Sequence, residues 1–291
     1  MMELLYISKW GGTFNLTDNE HMWLTNVDGL TKATTSLSTV VIGGVDGDQI
    51  NSVRAQPRPI TLDLRAKRDQ NVEQAKRAVL EIVKLKQNFT LQWTQNNRVW
   101  TISGIVDSIE MPRFNNKVTM QIGLHCSDPF WKDVTESISE ISEAKDLHYF
   151  TDDPEDMLFF PDDGIPLGEY DTSRTRTVYN AGDVAVGMNI EVLAYARVVN
   201  PIIHDQNGNY FGIGYGNGDF QVIMNEGDKL VINTNAGQKN VTLNGESVLN
   251  LVKPHSTWLQ LQAGENEFAI SDDSGSLTNM TFSLIYQTRY V

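Results

Sequence analysis

Acyl-transfer or hydrolytic chemistry needs a nucleophile, a base within hydrogen-bond reach and a group that stabilises developing charge. The residues able to act as base are few here: His21, His125, His148, His204 and His255, with one cysteine, Cys126. His125 and Cys126 are adjacent, as are His255 and Ser256, but neighbours on a strand point to opposite faces, so neither pair makes a dyad. His255 also sits in a loop opened by Pro254. Asp205-Gln206-Asn207-Gly208-Asn209 begins like a calcium loop, yet Gly216 holds the twelfth position, where a bidentate Glu is needed. It reads instead as a hairpin turn on Asn207-Gly208. The glycine-rich run GIGYGNGD at 212–219 lies between strands and opens no helix, so it lacks the N-terminus that makes such loops grip phosphate. Glycoside cleavage needs two positioned carboxylates, and nothing pairs two of them on a rigid element. No catalytic, cofactor-binding or metal-ligating residue is assigned; the chain is expected to be no enzyme and to need no cofactor.

Six tryptophans, with Trp258 near the end, raise a sugar-stacking platform as the alternative, with Tyr210 and Tyr215 as the aromatics to test. The competing reading is that they pack a core.

The elements that must carry these residues are mostly strands. The first 55 residues are short apolar runs broken by Gly and Asx, with Val45-Asp46-Gly47-Asp48 a tight turn. Ile60, Leu62 and Leu64 alternate with Thr61, Asp63 and Arg65, the period of a half-buried strand. A helix follows: Asn71 caps it, Gln74 stands where a capping box needs it, and Val72, Ala75, Val79, Ile82 and Val83 form an apolar stripe to about Lys86. Lys76, Arg77, Lys84 and Lys86 lie off the stripe on a solvated face. Strands return at 89–94, 98–109 and 117–126, the last with Val118, Met120, Ile122, Leu124 and Cys126 on one side, which makes Cys126 a core thiol. Pro129 ends this region, with Phe130 and Trp131 as anchors.

Charge divides the chain. The net charge is −14, and residues 136–173 alone hold twelve carboxylates and one lysine, Lys145, for a net −11. This acidic connector, 133–175, separates two nearly balanced domains. A short helix is expected near 134–147, while LHYF and MLFFP are apolar islets suited to docking on a neighbour. From Thr177 onward, eight or so strands punctuated by Asn-Gly and Gly-Asp turns, with Met280, Phe282, Leu284 and Tyr286 facing inward, read as a two-sheet antiparallel sandwich. The expected fold is therefore mainly β, α+β in its first half. Residues 1–132 form a β-sandwich-like domain with one packed helix; 176–291 form an antiparallel jelly-roll (galectin-like) β-sandwich.

No basic stripe suits sequence-specific nucleic-acid binding, and no apolar run of about 20 residues suits a membrane span. The opening MMELLYISKWGG lacks signal-peptide character, so synthesis in the cytoplasm is expected. One cysteine excludes an internal disulfide.

The series of turns and strand ends resembles the distal tail proteins of long-tailed phages of Gram-positive bacteria. In the first half the resemblance lies in order: Trp10 to Asn15, V-D-G-L at 27–30, V-D-G-D at 45–48, Arg58-Pro-Ile-Thr-Leu leading to one helix, and Cys126-Ser-Asp-Pro-Phe-Trp. It is sharper in the second: Asn180-Ala-Gly-Asp, Asn200-Pro201, Glu226 to Thr234, Leu243-Asn244-Gly245, Ser256 to Leu261 and Ala263 to Phe268.

That resemblance implies a structural part of a phage tail tip or baseplate, a homo-hexameric ring with N-terminal domains inside and C-terminal sandwiches outside. The ring is expected to join the tail tube protein to the tail hub or tail-associated lysin, with peripheral baseplate or receptor-binding proteins as further partners, in the virion's tail tip. Some relatives carry an inserted carbohydrate-binding module, for which this chain is too short. The ring interface is expected on the first domain, whose strand edges and balanced charge suit it. The alternative is a host adhesin binding carbohydrate through the C-terminal sandwich.

Overall fold

The computed structural model describes residues 3–44, 46–68, 71–112, 120–140, 144–146, 168–170, 175–273 and 279–291. The chain divides into two units: Met1–Val134 with Arg289–Val291, and Thr135–Thr288. In chain order the elements are β1 (Glu3–Ser8), β2 (Thr13–Asn15), β3 (Met22–Asp28), β4 (Thr35–Val41), β5 (Asp48–Ala55), β6 (Arg58–Ala66), α1 (Val72–Ile82), β7 (Asn88–Gln95), β8 (Arg98–Glu110), β9 (Met120–Cys126) and β10 (Trp131–Asp133). The second unit continues with β11 (Ser137–Glu140), β12 (Ala144–Asp146), β13 (Gly168–Tyr170), β14 (Thr175–Asn180), β15 (Met188–Ala194), β16 (Val198–Val199), β17 (Ile202–Asp205) and β18 (Tyr210–Gly212). It ends with β19 (Ile223–Met224), β20 (Lys229–Asn233), β21 (Asn240–Leu243), β22 (Glu246–Ser247), β23 (Gly264–Ser271) and β24 (Met280–Tyr286); β25 (Arg289–Tyr290) returns to the first unit.

The main sheet of the first unit is antiparallel, in the order β2-β1-β7-β8-β9-β6-β3, with β10 paired to β8 and β25 to β10. Alternation decides which side is buried: Ile60, Leu62, Leu64, Met120, Ile122, Leu124 and Cys126 are all enclosed. Asn71 caps α1 by accepting from the Glu73 N–H at 2.9 Å. Ala75, Val79 and Val83 of the expected stripe are buried and Ile82 is partly so, whereas Val72, in the first turn, is exposed. An aromatic cluster closes the other end of the core: Trp93 meets Trp100 at 5.2 Å and Trp131 at 5.4 Å, and Tyr290 of β25 meets Trp100 edge-on at 6.2 Å. Arg289 adds an ion pair of 3.5 Å to Asp128, which Lys132 also pairs at 3.0 Å.

β4 and β5 stand apart as a two-stranded sheet of their own. Every residue of β4, and every residue of β5 except Ala55, is exposed.

In the second unit a six-stranded sheet, β11-β24-β15-β20-β21-β22, and a four-stranded sheet, β14-β23-β17-β18, share one core. Met188, Ile190 and Val192 with Leu230, Ile232, Phe282 and Leu284 meet Ile203, Phe211, Phe268 and Ile270 there. Met280, Phe282, Leu284 and Tyr286 all face inward, as their spacing predicts. The helix expected near 134–147 is not formed in its described part: Ser137–Glu140 is a strand on β24, and Ala144–Asp146 pairs with Gly168–Tyr170. A free ladder edge on β24 overrides the weak local helical preference.

Candidate functional site

The residues able to do chemistry are dispersed. Cys126 is fully enclosed, and burial pushes its thiol up to about 12; the nearby Arg58 opposes this and Asp128 adds to it. His125 beside it is exposed on the opposite face, as strand geometry requires. His255 lies exposed in a turn with φ +64°, while the Ser256 hydroxyl accepts from the Gly212 N–H at 3.1 Å. His148 lies outside the described residues, as do LHYF and MLFFP.

His204 does have a hydroxyl partner: its Nε2 is 3.0 Å from Ser271 Oγ. Burial lowers its pKa, Lys253 lowers it further and Asp205 opposes them. The pair arises because His204 sits opposite Ala269, which places Ser271 diagonally on the same face, a register that spans 67 positions and leaves no local signal. A working triad would need Asp205 to orient the ring. Its carboxylate is instead held by the Asn207 and Asn209 N–H groups at 2.9 and 2.8 Å and by Asn209 Nδ2 at 2.8 Å. Those bonds close the hairpin turn that the sequence predicts, and they occupy the oxygens a calcium ion would need. Among the described residues no group of three or more His, Cys, Asp or Glu is placed to hold a metal, and no helix is long and apolar enough to cross a membrane.

The glycine-rich run is locked by Asn200, which is buried with φ +51°. Its amide donates to Asp273 Oδ2 at 2.7 Å and to the Gly216 carbonyl at 3.2 Å, and its oxygen accepts from the Val222 N–H at 2.9 Å. Gly214 passes so close that a Cβ there would lie 2.2 Å from Asn200 Oδ1, at a φ of +78°. The other Asn positions that carry the resemblance act alike. Asn180 bonds the Val184 and Leu261 carbonyls, Asn266 bridges Gln262 and Gly264, and Asn244 joins Lys229 to Asp228. Backbone donation from Asn225, then the Asn244 amide, holds the Asp228 carboxyl below its usual range. Trp258 is half-buried against Phe211 at 4.7 Å, and the Tyr210 hydroxyl donates to the Pro254 carbonyl at 2.8 Å. Tyr215 stacks on Phe220 at 5.0 Å, with Phe220 half-exposed.

What remains as a candidate site is surface. On the β4–β5 hairpin Leu37, Val40, Val41, Ile42, Ile50 and Val53 are all exposed, Val41 to 78 %. The described residues thus make two β-rich units, the first of which carries an exposed apolar hairpin. Residues 181–290 match the family model of the siphovirus-type tail component, C-terminal domain. The resemblance to phage distal tail proteins is thereby borne out in the half of the chain where it is sharpest. No curated protein sequence matches the chain. Among solved structures, SPP1 Dit, described as a paradigm of the hub adsorption apparatus in phages infecting Gram-positive bacteria, has the same fold. Its TM-score is 0.66 over 99 % of both chains at 11 % identity. A chain of the phage P2 baseplate in its activated conformation with Ca aligns over 100 % of both chains at 10 % identity with a TM-score of 0.45.

Proposed function

We propose that this chain is a structural component of a phage tail tip or baseplate, a homo-hexameric ring that joins the tail tube protein to the tail hub or tail-associated lysin. In this reading, peripheral baseplate or receptor-binding proteins attach around the ring. The chain is made in the host cytoplasm, is carried in the virion and turns over no substrate. The family match of residues 181–290 and the shared fold support the tail assignment. The observation that carries self-assembly is the β4–β5 hairpin. An isolated two-stranded hairpin is marginal in water, and apolar side chains on both of its strands need a covering surface. A neighbouring copy supplies one at every position when head-to-tail contacts close by rotation.

The test is the mass of the purified chain, alone and with tail partners, together with an electron-microscopy image. A sixfold annulus supports the reading; a chain that stays monomeric with every tail protein defeats it. The Tyr215–Phe220 stack, in which Phe220 is half-exposed, favours the second reading, a carbohydrate-binding adhesin. That reading requires saturable sugar binding that is lost in Tyr215→Ala and Phe220→Ala.

A further inference from the structure

Strand β3 is the last strand of its sheet, hydrogen-bonded only to β6 among the described residues. A bulge between Leu24 and Asn26 interrupts the pairing. A bulged edge is a poor template for another strand, so recognition there falls to side chains. Those side chains form a cleft of about 440 Å³ lined by Trp23, Thr25, Arg65, Ala66, Lys67 and Arg68. Trp23 is 55 % exposed. The Lys67 ammonium lies 4.5 Å from the centre of its ring and also donates to the Asn19 carbonyl. Arg65 is paired across from Trp23 in the ladder and is exposed, as is Arg68. The carboxylate of the adjoining Asp63 accepts from Gln121 and Asn26 amides, so it is engaged away from the three cations. An aromatic face beside three positive charges suits an acidic segment that also carries apolar side chains.

The chain contains such a segment. In sequence, residues 147–167 lie between β12 and β13, whose residues Asp146 and Gly168 are paired. That stretch holds six carboxylates (Asp152, Asp153, Glu155, Asp156, Asp162 and Asp163) and no Lys or Arg, and it contains Tyr149, Phe150, Met157, Leu158, Phe159 and Phe160. We infer that the cleft of Trp23, Arg65, Lys67 and Arg68 on one copy receives the acidic tip 147–167 of a second copy. This rests on the ring reading for its choice of occupant, because a heterologous ring contact joins two different surfaces of identical chains.

The test uses the full chain with residues 147–167 replaced by an Asn-Gly turn, which the paired ends permit, titrated with a labelled synthetic peptide of residues 147–167. The peptide binds, and binding weakens at least about tenfold in the Arg65→Glu/Lys67→Glu/Arg68→Glu variant and between low and high salt. Trp23→Ala weakens it while leaving the charges in place, and a peptide with its acids changed to amides binds poorly to the unmodified cleft. No binding, equal binding to the charge-reversed cleft, or tighter binding of a duplex oligonucleotide to the same residues overturns the inference. Mixing the charge-reversed full chain with the tip-less chain tests which copy contributes the tip. Association above that of either alone supports contact between copies, whereas peptide binding without it places the contact within one chain and overturns the inference. The peptide titration does not depend on ring formation, so its failure and failure of the ring reading are separate results.

Discussion

Tyr6, Arg58 and Cys126 are polar groups enclosed in the first unit, and each reports on the interior in a different way. The Tyr6 hydroxyl has no hydrogen-bond partner among the described residues, and burial pushes its pKa from 10.0 to about 12; Cys126 rises from 9.0 to about 12. The folded chain therefore keeps protons that the unfolded chain releases. Their contribution to stability is complete below about pH 9 and is lost as pH rises toward 12. Urea titrations across that range will show falling stability, and Tyr6→Phe will flatten the part above pH 10 at little cost near neutrality. Burial pushes the Arg58 guanidinium below its ordinary range, and two of its nitrogens, Nε and Nη2, have no partner among the described residues. The bond from its Nη1 to the Leu30 carbonyl, at 2.6 Å, is duplicated by Trp131 Nε1 at 3.0 Å. Leu30 therefore keeps a donor when Arg58 is replaced. Arg58→Met will stay within about 1 kcal/mol of the parent in equilibrium unfolding, whereas Arg58→Ala leaves a void and costs about 2–4 kcal/mol.

Among the elements, β4–β5 and β25 make opposite demands. Leu37 and Val53 face each other across the hairpin, and both are more than half exposed. Leu37→Lys with Val53→Lys will leave the melting behaviour of the free chain within about 0.5 kcal/mol, yet will reduce self-association measured by mass photometry. Unchanged assembly would mean that the hairpin is not the contact. β25 is a short element on which much depends, since Tyr290 covers Trp100 and its strand pairs β10, which carries the buried Trp131. Tyr290→Ala will cost about 1–3 kcal/mol, read as a lower unfolding midpoint with a blue-to-red shift in tryptophan emission at lower denaturant.

At the scale of the molecule, period and punctuation made much of the architecture readable. The 60–64 alternation, the Ala75–Val79–Val83 stripe, the Met120–Cys126 face and the Asn-centred turns of the second unit are local patterns, and each formed where its spacing requires. Relations between distant segments were not readable. The His204–Ser271 contact depends on the register between β17 and β23, the strand at Ser137–Glu140 depends on an edge offered by β24, and the cleft at Trp23 depends on β3 lying beside β6. No local pattern encodes which strand will be a neighbour. The exposed hairpin is not legible for the same reason: its apolar residues look like those of any core strand, and only the fold shows that no described residue covers them. The position of β25 carries a last consequence, for biosynthesis. Its two residues are translated only after the whole of the second unit, yet they finish the sheet begun by Glu3–Ser8. A ribosome part-way through the message thus holds a first unit whose β10 edge and Trp100 face are still open. That unit matures only when the nascent chain has emerged to Tyr290, after all of Thr135–Thr288 has been made.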